Sequence, residues 1–194
     1  MNVYDFDNTI YDGDSSVDLY FFCLRRFPYV LTALPAQGYG GLKYLLRDRR
    51  GDNGAAKTVF KEYVYRYFRS VPDLEYVAAE FWESALSKIR PWYLAQQRED
   101  DVIISASPEF LLLPACRELG IGELMASRVD PETGRYTGLN CHDTEKVARF
   151  RQRFGDAMPD AFYSDSLSDA PMAAISRTAF LVKGERISPW PKNN

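Results

Sequence analysis

The sequence predicts an α/β fold in which a doubly wound parallel sheet forms the core and an all-helical segment is inserted into it. Three observations support this prediction. A short apolar strand opens the chain at Val3 to Phe6. After residue 93, β-branched strands alternate with helices, which is typical of a parallel sheet. Between these regions, apolar residues recur at spacings of three and four, as on one face of a helix.

The inserted segment is predicted to contain three or four helices between Val17 and about Arg90. Its clearest helix has Leu74, Val77 and Phe81 at intervals of three and four, so these side chains fall on one face. We therefore divide the chain into two units. The α/β core comprises residues 1–14 and 93–194, and the helical insert, or cap, comprises residues 15–92.

The remaining strands and helices are predicted in the second half of the chain. The strands run from Asp101 to Ser105, from Leu124 to Asp130, from Ala161 to Ser164 and from Thr178 to Val182. The helices run from Pro108 to Glu118, from Thr144 to Phe154 and from Asp169 to Ser176. The segment from Asp130 to Gly134 is predicted to be a turn, because Asp, Pro and Gly favour turns.

The net charge of −3 hides an uneven distribution. Residues 20–95 hold 12 Lys and Arg against 7 Asp and Glu, whereas the rest of the chain holds 12 against 20. The same middle region carries 17 of the 28 aromatic residues. This contrast indicates two units with different roles, and the small global charge gives no reason to expect a nucleic-acid partner.

Length and composition indicate an ordinary folded protein. A chain of 194 residues with 46% hydrophobic residues fits one domain, or one domain with an insertion. Three cysteines without a CxxC pair indicate a reducing environment. The first residues lack the basic start and apolar stretch of a signal peptide, and no uninterrupted apolar run approaches the roughly 20 residues of a membrane span. We therefore expect a cytoplasmic protein.

Polar side chains follow three of the predicted strands, and a lysine follows at the start of a helix. The carboxyl ends of parallel strands lie at one edge of the sheet, where ligands of such folds bind. We therefore expect these groups to converge. They are Asp5-Phe6-Asp7-Asn8-Thr9, Ser105-Ala106-Ser107, Lys146, and the segment from Asp165 to Asp169.

The chemistry of these groups suits phosphoryl transfer. Asp5, Asp7 and Asp165 would bring three carboxylates together, and that much negative charge requires a cation. A small number of oxygen ligands favours Mg²⁺, which keeps several waters and binds substrate phosphate. One Asp can act as a phosphoryl-accepting nucleophile, and a second carboxylate two residues later can transfer protons. Charge stabilisation and positioning are the main requirements of phosphoryl transfer.

These residues resemble the motifs of the haloacid dehalogenase superfamily of phosphohydrolases. Asp5 to Thr9 matches its DxDxT nucleophile motif, and Ser105, Lys146 and the Asp165/Asp169 pair match the other three motifs in order. The resemblance covers nearly the whole chain. The helical insert lies between the first and second motifs, which is similar to the phosphoserine-phosphatase-like branch with its Rossmann-like core and helical C1-type cap.

The resemblance implies a role for each matching acidic or basic residue. Asp5 would be the nucleophile that forms an aspartyl-phosphate, and Asp7 would be the general acid and base. Lys146 would neutralise the phosphate and the nucleophile. Mg²⁺ would be bound by Asp5, by the backbone carbonyl of Asp7 and by Asp165, with Asp169 in support.

The resemblance also implies a phosphate-binding site formed by Thr9, Ser105, Ala106 and Lys146. Members of the phosphoserine phosphatase branch usually have glycines after the serine of the second motif and after the first Asp of the fourth motif. Here Ala106 and Ser107 replace the former pair, and Ser166 replaces the latter glycine. The acidic and basic set is intact, so the departures concern the substrate rather than the reaction class.

Three further residues are weaker candidates for substrate contacts. Asp14 falls where phosphoserine phosphatases carry an acidic residue that recognises the substrate's amino group, although Asp12-Gly13-Asp14 is also a plain turn. Trp92 and Tyr93 lie where the helical insert returns to the core, and they form either a hinge or a substrate contact.

Other conspicuous residues are interpreted as structural. The tripeptide Cys141-His142-Asp143 is predicted to be a loop, because consecutive side chains seldom converge on one ligand. An aromatic stripe is predicted to lie in the core of the helical insert: Phe60, Tyr63, Tyr67 and Phe68. A set of arginines is predicted to be a solvated face, with a basic lid or a membrane-surface patch as the alternative: Arg25, Arg26, Arg47, Arg49 and Arg50.

The function predicted from these residues is Mg²⁺-dependent hydrolysis of a small soluble phosphomonoester, with a compound similar to phosphoserine as one candidate substrate. One alternative is a lipid-phosphate phosphatase, such as a phosphatidylglycerophosphate phosphatase, because Leu19 to Leu46 is apolar and basic enough to touch a bilayer. An alternative of another class is a non-catalytic phosphate-binding protein on the same fold. The sequence does not define the oligomeric state.

Overall fold

A computed structural model describes residues 1–48 and 53–191. For residues 47, 48 and 53–55 it describes the backbone only. Within the described residues the core is one six-stranded sheet with the strand order β3-β2-β1-β4-β5-β6. The strands are β1 (Asn2–Tyr4), β2 (Val102–Pro108), β3 (Glu123–Ser127), β4 (Ala161–Ser164), β5 (Thr178–Lys183) and β6 (Arg186–Pro189).

The sheet confirms the predicted doubly wound α/β fold. The first five strands pair in parallel, and only the edge strand β6 runs antiparallel to its neighbour β5. From β1 the chain builds outward through β2 and β3 on one side, and then through β4 and β5 on the other. The reversal beside β1 leaves a crevice at the carboxyl ends of β1 and β4, where ligands of such sheets bind.

Every named element between β1 and β2 is helical in the described residues. Two of the helices begin at side-chain caps: the carboxylates of Asp14 and Asp73 accept backbone N–H groups of α1 and α4. The α-helices are α1 (Ser15–Arg26), α2 (Leu34–Asp48), α3 (Asn53–Val64), α4 (Leu74–Ala85) and α5 (Pro91–Leu94). Three short 3₁₀ helices join them: Pro28–Ala33, Tyr65–Ser70 and Leu86–Lys88.

The two faces of the sheet carry different apolar layers, because successive side chains of a strand point to opposite faces. Tyr4 and Tyr163 lie in a large cluster that includes the buried side chains of the helices between β1 and β2. Val3 and Phe162 lie in a smaller cluster with Phe150 on the other face. Three helices complete the second half of the chain: α6 (Glu109–Glu118), α7 (Thr144–Phe154) and α8 (Ala170–Ala174).

Strand β6 was not predicted. It follows β5 through a tight hairpin in which Lys183 pairs with Arg186. Gly184, in the turn, has a φ of 62°. The signal is weak because the strand has four residues and ends in Pro189, a residue type confined to sheet edges.

Several predicted boundaries also differ from the structure. The first strand ends at Tyr4 rather than Phe6, because the Phe6 carbonyl accepts the N–H groups of Thr9, Ile10 and Tyr11 and the chain turns there. The predicted strand from Leu124 to Asp130 is β3, Glu123–Ser127. The predicted helix from Asp169 to Ser176 is split into a 3₁₀ turn, Leu167–Asp169, and α8.

No helix in the described part of the chain has both the length and the hydropathy to cross a membrane.

Candidate active site

The loop after β1 places two aspartates at the carboxyl edge of the sheet. Asp5 follows the last residue of β1, and its N–H still bonds to the Tyr163 carbonyl of β4 at 2.9 Å. The tight turn at Phe6 then presents Asp7 beside it. Asn8 has a φ of 56°, and Asn is among the few non-glycine residues that tolerate this left-handed conformation.

Thr9 links the two motifs on β1 and β4. Its side chain is fully buried, and its hydroxyl lies 3.4 Å from Asp5 Oδ2. The same hydroxyl oxygen accepts the N–H of Asp165 at 2.9 Å. Thr9, a predicted phosphate-binding residue, therefore holds the first loop against the segment that carries Asp165.

Lys146 joins the two carboxylates of a buried cluster. Its ammonium lies 2.8 Å from Asp5 Oδ1 and 2.7 Å from Asp169 Oδ2, and only 2% of its side chain is exposed. Ser164 Oγ donates a further hydrogen bond to Asp169 Oδ2 at 2.7 Å. Burial alone would lower the pKa of Lys146, but the charges of Asp5 and Asp169 outweigh it and raise the pKa. The lysine is therefore a permanent cation.

The nucleophile candidate Asp5 lies in an environment that disfavours its negative charge. Burial raises the pKa of Asp5 to about 7, although Lys146 opposes the shift. The negative charges of Asp169 and Asp165 add to the effect of burial. A cation bound near Asp5 and Asp165 would relieve this repulsion.

Asp7 is oriented by two hydrogen-bond donors. Its Oδ1 accepts the N–H of Ser15 at 2.7 Å, and its Oδ2 accepts the hydroxyl of Ser107. Burial and then the charge of Asp14 raise the pKa of Asp7 to about 6. Near neutral pH this carboxyl can therefore both give and take a proton, as a general acid and base must.

The end of β2 brings the second motif to the same place. The register between β2 and β3 shifts between Ser105 and Pro108, and such irregularities often lie beside active sites. Ser105 is buried, and its Oγ accepts the N–H of Ser107 at 3.1 Å. Ser107, noted in the sequence only as a replacement for glycine, contacts Asp7 directly.

Lys61 was missed by sequence reasoning. It belongs to α3, yet its Nζ donates to the carbonyl of Ala106 at 3.2 Å. Burial lowers the pKa of Lys61, while Asp14, Asp7 and Asp5 oppose the shift. No pattern near residue 61 distinguishes this lysine from a solvated one, because only the tertiary structure brings its ammonium to the Ala106 carbonyl.

The oxygen-rich donor set fits Mg²⁺. No three Asp, Glu, His or Cys side chains in residues 1–48 and 53–191 form a metal-holding group. Mg²⁺ nevertheless needs only one or two protein carboxylates, since it retains waters and binds substrate phosphate. Asp5 and Asp165 can supply these carboxylates, and burial raises the pKa of Asp165. A divalent cation would favour the ionised forms of both.

The weaker candidates for substrate contact have different outcomes. Asp14 caps α1, since its Oδ1 accepts the N–H groups of Ser16 and Val17 at 3.0 and 3.1 Å. The structure does not bring Trp92 and Tyr93 to the carboxylate cluster. Their rings pack against Tyr4, with centroids 6.3 and 4.9 Å away, because α5 lies against the face of the sheet that carries Tyr4.

The residues interpreted as structural differ in how far they are buried. Cys141-His142-Asp143 forms a loop, with Cys141 buried and His142 Nε2 3.2 Å from Ser168 Oγ. Of the aromatic stripe, Tyr67 and Phe68 are buried in the core, whereas Phe60 and Tyr63 are half-buried. Arg25 and Arg26 are exposed, and the side chain of Arg47 and both Arg49 and Arg50 lie outside the described residues.

A family model described as haloacid dehalogenase-like hydrolase matches residues 3–174. Protein CicA of Caulobacter vibrioides is 38% identical over 81 residues, which cover 39% of this chain and 36% of that protein. A probable phosphatase of Mycobacterium tuberculosis is 34% identical over 106 residues, covering 47% of this chain and 37% of the relative. The matches thus span well under half the length of these curated relatives.

Solved structures share the fold at low sequence identity. A Bordetella pertussis protein of unknown function has a TM-score of 0.66 and 21% identity, covering 92% of this chain and 87% of that one. A phosphoserine phosphohydrolase-like protein from Francisella tularensis has a TM-score of 0.52 and 16% identity, covering 92% and 86%. At these identities the likeness concerns the fold alone.

Proposed function

Because the chain belongs to the haloacid dehalogenase-like hydrolase family, we propose that it hydrolyses phosphomonoesters through an aspartyl-phosphate on Asp5. One observation carries the proposal. The Asp5 carboxylate lies at the end of β1 and is held by the buried Lys146, whose other partner is Asp169. A cation fixed beside a buried carboxylate is suited to stabilise the charge of a transferring phosphoryl group.

The reaction would proceed in two steps. A carboxylate oxygen of Asp5 attacks phosphorus, the bond to the leaving oxygen breaks, and Asp7 gives that oxygen its proton. A water then attacks the aspartyl-phosphate, Asp7 takes the proton of the water, and inorganic phosphate leaves while Asp5 is regenerated. The pKa of Asp7, raised to about 6, supports both proton transfers.

Groups around Asp5 would bind the phosphoryl oxygens. Ser105 and the backbone at Ala106 lie in the middle of β2, just before its carboxyl end, and Lys146 supplies positive charge. Thr9 would position the loop rather than contact phosphate, because its hydroxyl is already engaged between Asp5 and Asp165.

Mg²⁺ is the proposed cofactor, held by the carboxylates of Asp5 and Asp165 and by the backbone carbonyl of Asp7. When bound, it would offset the negative charge of the phosphoryl group and of these aspartates. Asp169 would act indirectly, by keeping Lys146 in place at 2.7 Å.

We further propose the division into a core, residues 1–14 and 93–194, and a helical cap, residues 15–92. Two contacts support a cap that covers the site: Lys61 donates to the Ala106 carbonyl, and Ser16 Oγ lies 3.4 Å from Ser107 Oγ. Such a cover would exclude water and select the leaving group. A small-molecule phosphomonoester in the cytoplasm is the expected partner, and the three free, buried cysteines fit a reducing compartment.

Substitution of the nucleophile tests the proposal. With p-nitrophenyl phosphate and Mg²⁺, Asp5→Asn should lower kcat by at least about 10³-fold, because the attacking carboxylate is lost. The matched control is Asp12→Asn, which alters an aspartate of the same loop whose carboxylate binds Arg90. Circular dichroism would check that both variants fold.

Two results would contradict the proposal. The first is an Asp5→Asn protein with wild-type turnover. The second is a folded wild-type protein that binds phosphate but turns over no phosphomonoester with any divalent cation, which would instead support the non-catalytic phosphate-binding protein.

A further inference from the structure

A cavity of about 650 Å³ lies among α1, α2 and α3, and its lining includes Asp14, the residue that caps α1. Its volume is within the range of small-molecule sites. The walls are mostly apolar, and the rim residues Val17, Phe21 and Leu34 are about half exposed. The other apolar and aromatic side chains in the wall are Tyr20, Tyr44, Phe60, Val64 and Tyr65.

The cavity and the proposed active site share residues. Ser16, Lys61 and Tyr65 line the cavity, and two of them also touch the end of β2. Ser16 Oγ lies 3.4 Å from Ser107 Oγ, and Lys61 Nζ donates to the Ala106 carbonyl. Ser107 in turn bonds to Asp7, the proposed proton donor to the leaving group. The cavity therefore begins where the leaving oxygen would be.

The cavity combines polar and apolar lining residues. Asp14, Ser16 and Lys61 line it near the candidate site, whereas Phe21 and Leu34 are apolar lining residues on α1 and α2. Its other polar lining residues are Lys57 and Gln37, and the Gln37 amide donates to the Val64 carbonyl. A compact polar leaving group such as serine would leave the apolar residues in contact with water. An apolar chain would cover them, and each methylene moved out of water should strengthen binding about fourfold.

We propose that this cavity binds the apolar leaving group of an amphiphilic phosphomonoester, with the phosphate at Asp5 and a hydrocarbon chain along α1 and α2. The inference rests on the proposed function and specifies its substrate class. Lys61 is suited to attract the anionic head, since it lines the cavity and its ammonium also donates to the Ala106 carbonyl of the proposed phosphate-binding segment. Leu34 and Phe21 contact the distal part of the chain.

A series of monomeric alkyl phosphates tests this substrate class. We expect kcat/KM to rise at least about tenfold from n-butyl to n-octyl phosphate. Four added methylenes at about fourfold each would set an upper bound near 250-fold if all of them were fully buried. O-phospho-L-serine should be a poorer substrate than the octyl ester. Light scattering would establish that each ester is below its aggregation concentration.

A pair of matched variants assigns the preference to the cavity. Leu34→Asp places a charge on the rim and should lower the ratio of octyl to butyl kcat/KM by about fivefold or more. Leu42→Asp is the control, because Leu42 is an exposed leucine of the same helix that does not line the cavity. Its ratio should equal that of the wild type.

The outcomes separate this inference from the proposed function. Hydrolysis of all esters, abolished by Asp5→Asn but independent of chain length, would overturn the inference and leave the phosphatase proposal intact. A chain-length dependence that Leu34→Asp and Leu42→Asp alter equally would also overturn it. If no ester is hydrolysed in an Asp5-dependent manner, the proposed function itself fails.

Discussion

Lys146 is the residue on which the buried polar cluster depends. Its ammonium is the shared partner of Asp5 and Asp169, and all three side chains are nearly inaccessible to solvent. A buried charge is tolerable only when it is paired and hydrogen-bonded. Removing the lysine would therefore leave two buried carboxylates without their cation.

Lys146→Met should lower the free energy of unfolding by about 3 kcal/mol or more, as expected when one partner of a buried pair is lost. The loss should be larger at pH 8 than at pH 5. Lys146 lowers the pKa of Asp5, which burial raises to about 7, so removal of the lysine should raise this pKa further. In the variant at pH 5 the Asp5 carboxyl is then protonated and its unpaired charge disappears, whereas at pH 8 the charge or the cost of its protonation destabilises the folded state. Urea denaturation at both pH values would measure this.

The control is Lys183→Met, because Lys183 is exposed and donates to the Asp165 carbonyl. A loss in Lys146→Met that is equal at pH 5 and pH 8 would show that unpaired carboxylate charge is not the cause.

Asp14 influences the proposed proton donor through its charge. Its carboxylate is one of the groups that raise the pKa of Asp7. Asp14→Asn keeps a good N-cap for α1 but removes the charge, so the pKa of Asp7 should fall. Because the general acid must be protonated, the decline of kcat/KM at rising pH should move to lower pH. A pH–rate profile with n-butyl phosphate, whose alkoxide leaving group needs the proton of the general acid, checks this direction, and an unchanged profile would contradict it.

At the scale of elements, the packing of α2 on α3 depends on a glycine. A Cβ added to Gly40 would lie 2.3 Å from Tyr63 Cβ, whereas a Cβ on Gly38 of the same helix would meet nothing within 4 Å. The close approach of the two helices therefore requires the missing side chain. These helices also form part of the cavity wall, through Leu34 and Phe60 among others.

Gly40→Ala should destabilise the protein by about 1–3 kcal/mol, because the new methyl group overlaps Tyr63. Gly38→Ala should instead stabilise it by about 0.5–1 kcal/mol, since alanine is the better residue in a helix interior. Chemical denaturation of the two variants measures the change in the free energy of unfolding, which should be negative for Gly40→Ala and positive for Gly38→Ala. A Gly40→Ala protein as stable as Gly38→Ala would show that α2 and α3 are not held this closely.

At the scale of the whole molecule, the helices between β1 and β2 contact the other half of the chain beside the site. Glu62 accepts the N–H of Tyr136 at 3.2 Å, and Lys61 reaches the Ala106 carbonyl. A Cβ on Gly134 would lie 2.4 Å from the Tyr65 carbonyl oxygen, so the two parts approach closely there. Binding at the site should therefore stabilise both.

Mg²⁺ should raise the Tm of the wild-type protein. At a hundredfold excess over Kd, a bound ligand stabilises the folded state by about 2.7 kcal/mol, which corresponds to several degrees for a protein of this size. Asp165→Asn should abolish most of the shift, and Asp156→Asn, at a fully exposed site, should retain it. An equal shift in Asp165→Asn would exclude Asp165 as a metal ligand.

The sequence by itself determined which of the proposed catalytic and metal-binding residues lie at the edge of the sheet. Asp5 and Asp165 follow apolar strands, and parallel strands bring their carboxyl ends to one edge whatever surrounds them. Residue spacing and helix-end signals were also sufficient to predict α7 and β4, whose observed bounds equal the predicted ones. The same sequence signals did not predict β6, because pairing with β5 determines the conformation of this short segment.

Only the tertiary structure decided which parts of the helical segment face the site. Lys61 and Ser16 are ordinary surface-type residues in the sequence, and they become site residues because helix packing places them against β2. Helix packing also places the rings of Trp92 and Tyr93 against Tyr4, on one face of the sheet, rather than at the carboxylate cluster. Periodicity specifies which side of a helix is apolar, but contacts between elements far apart in the chain determine what that side covers.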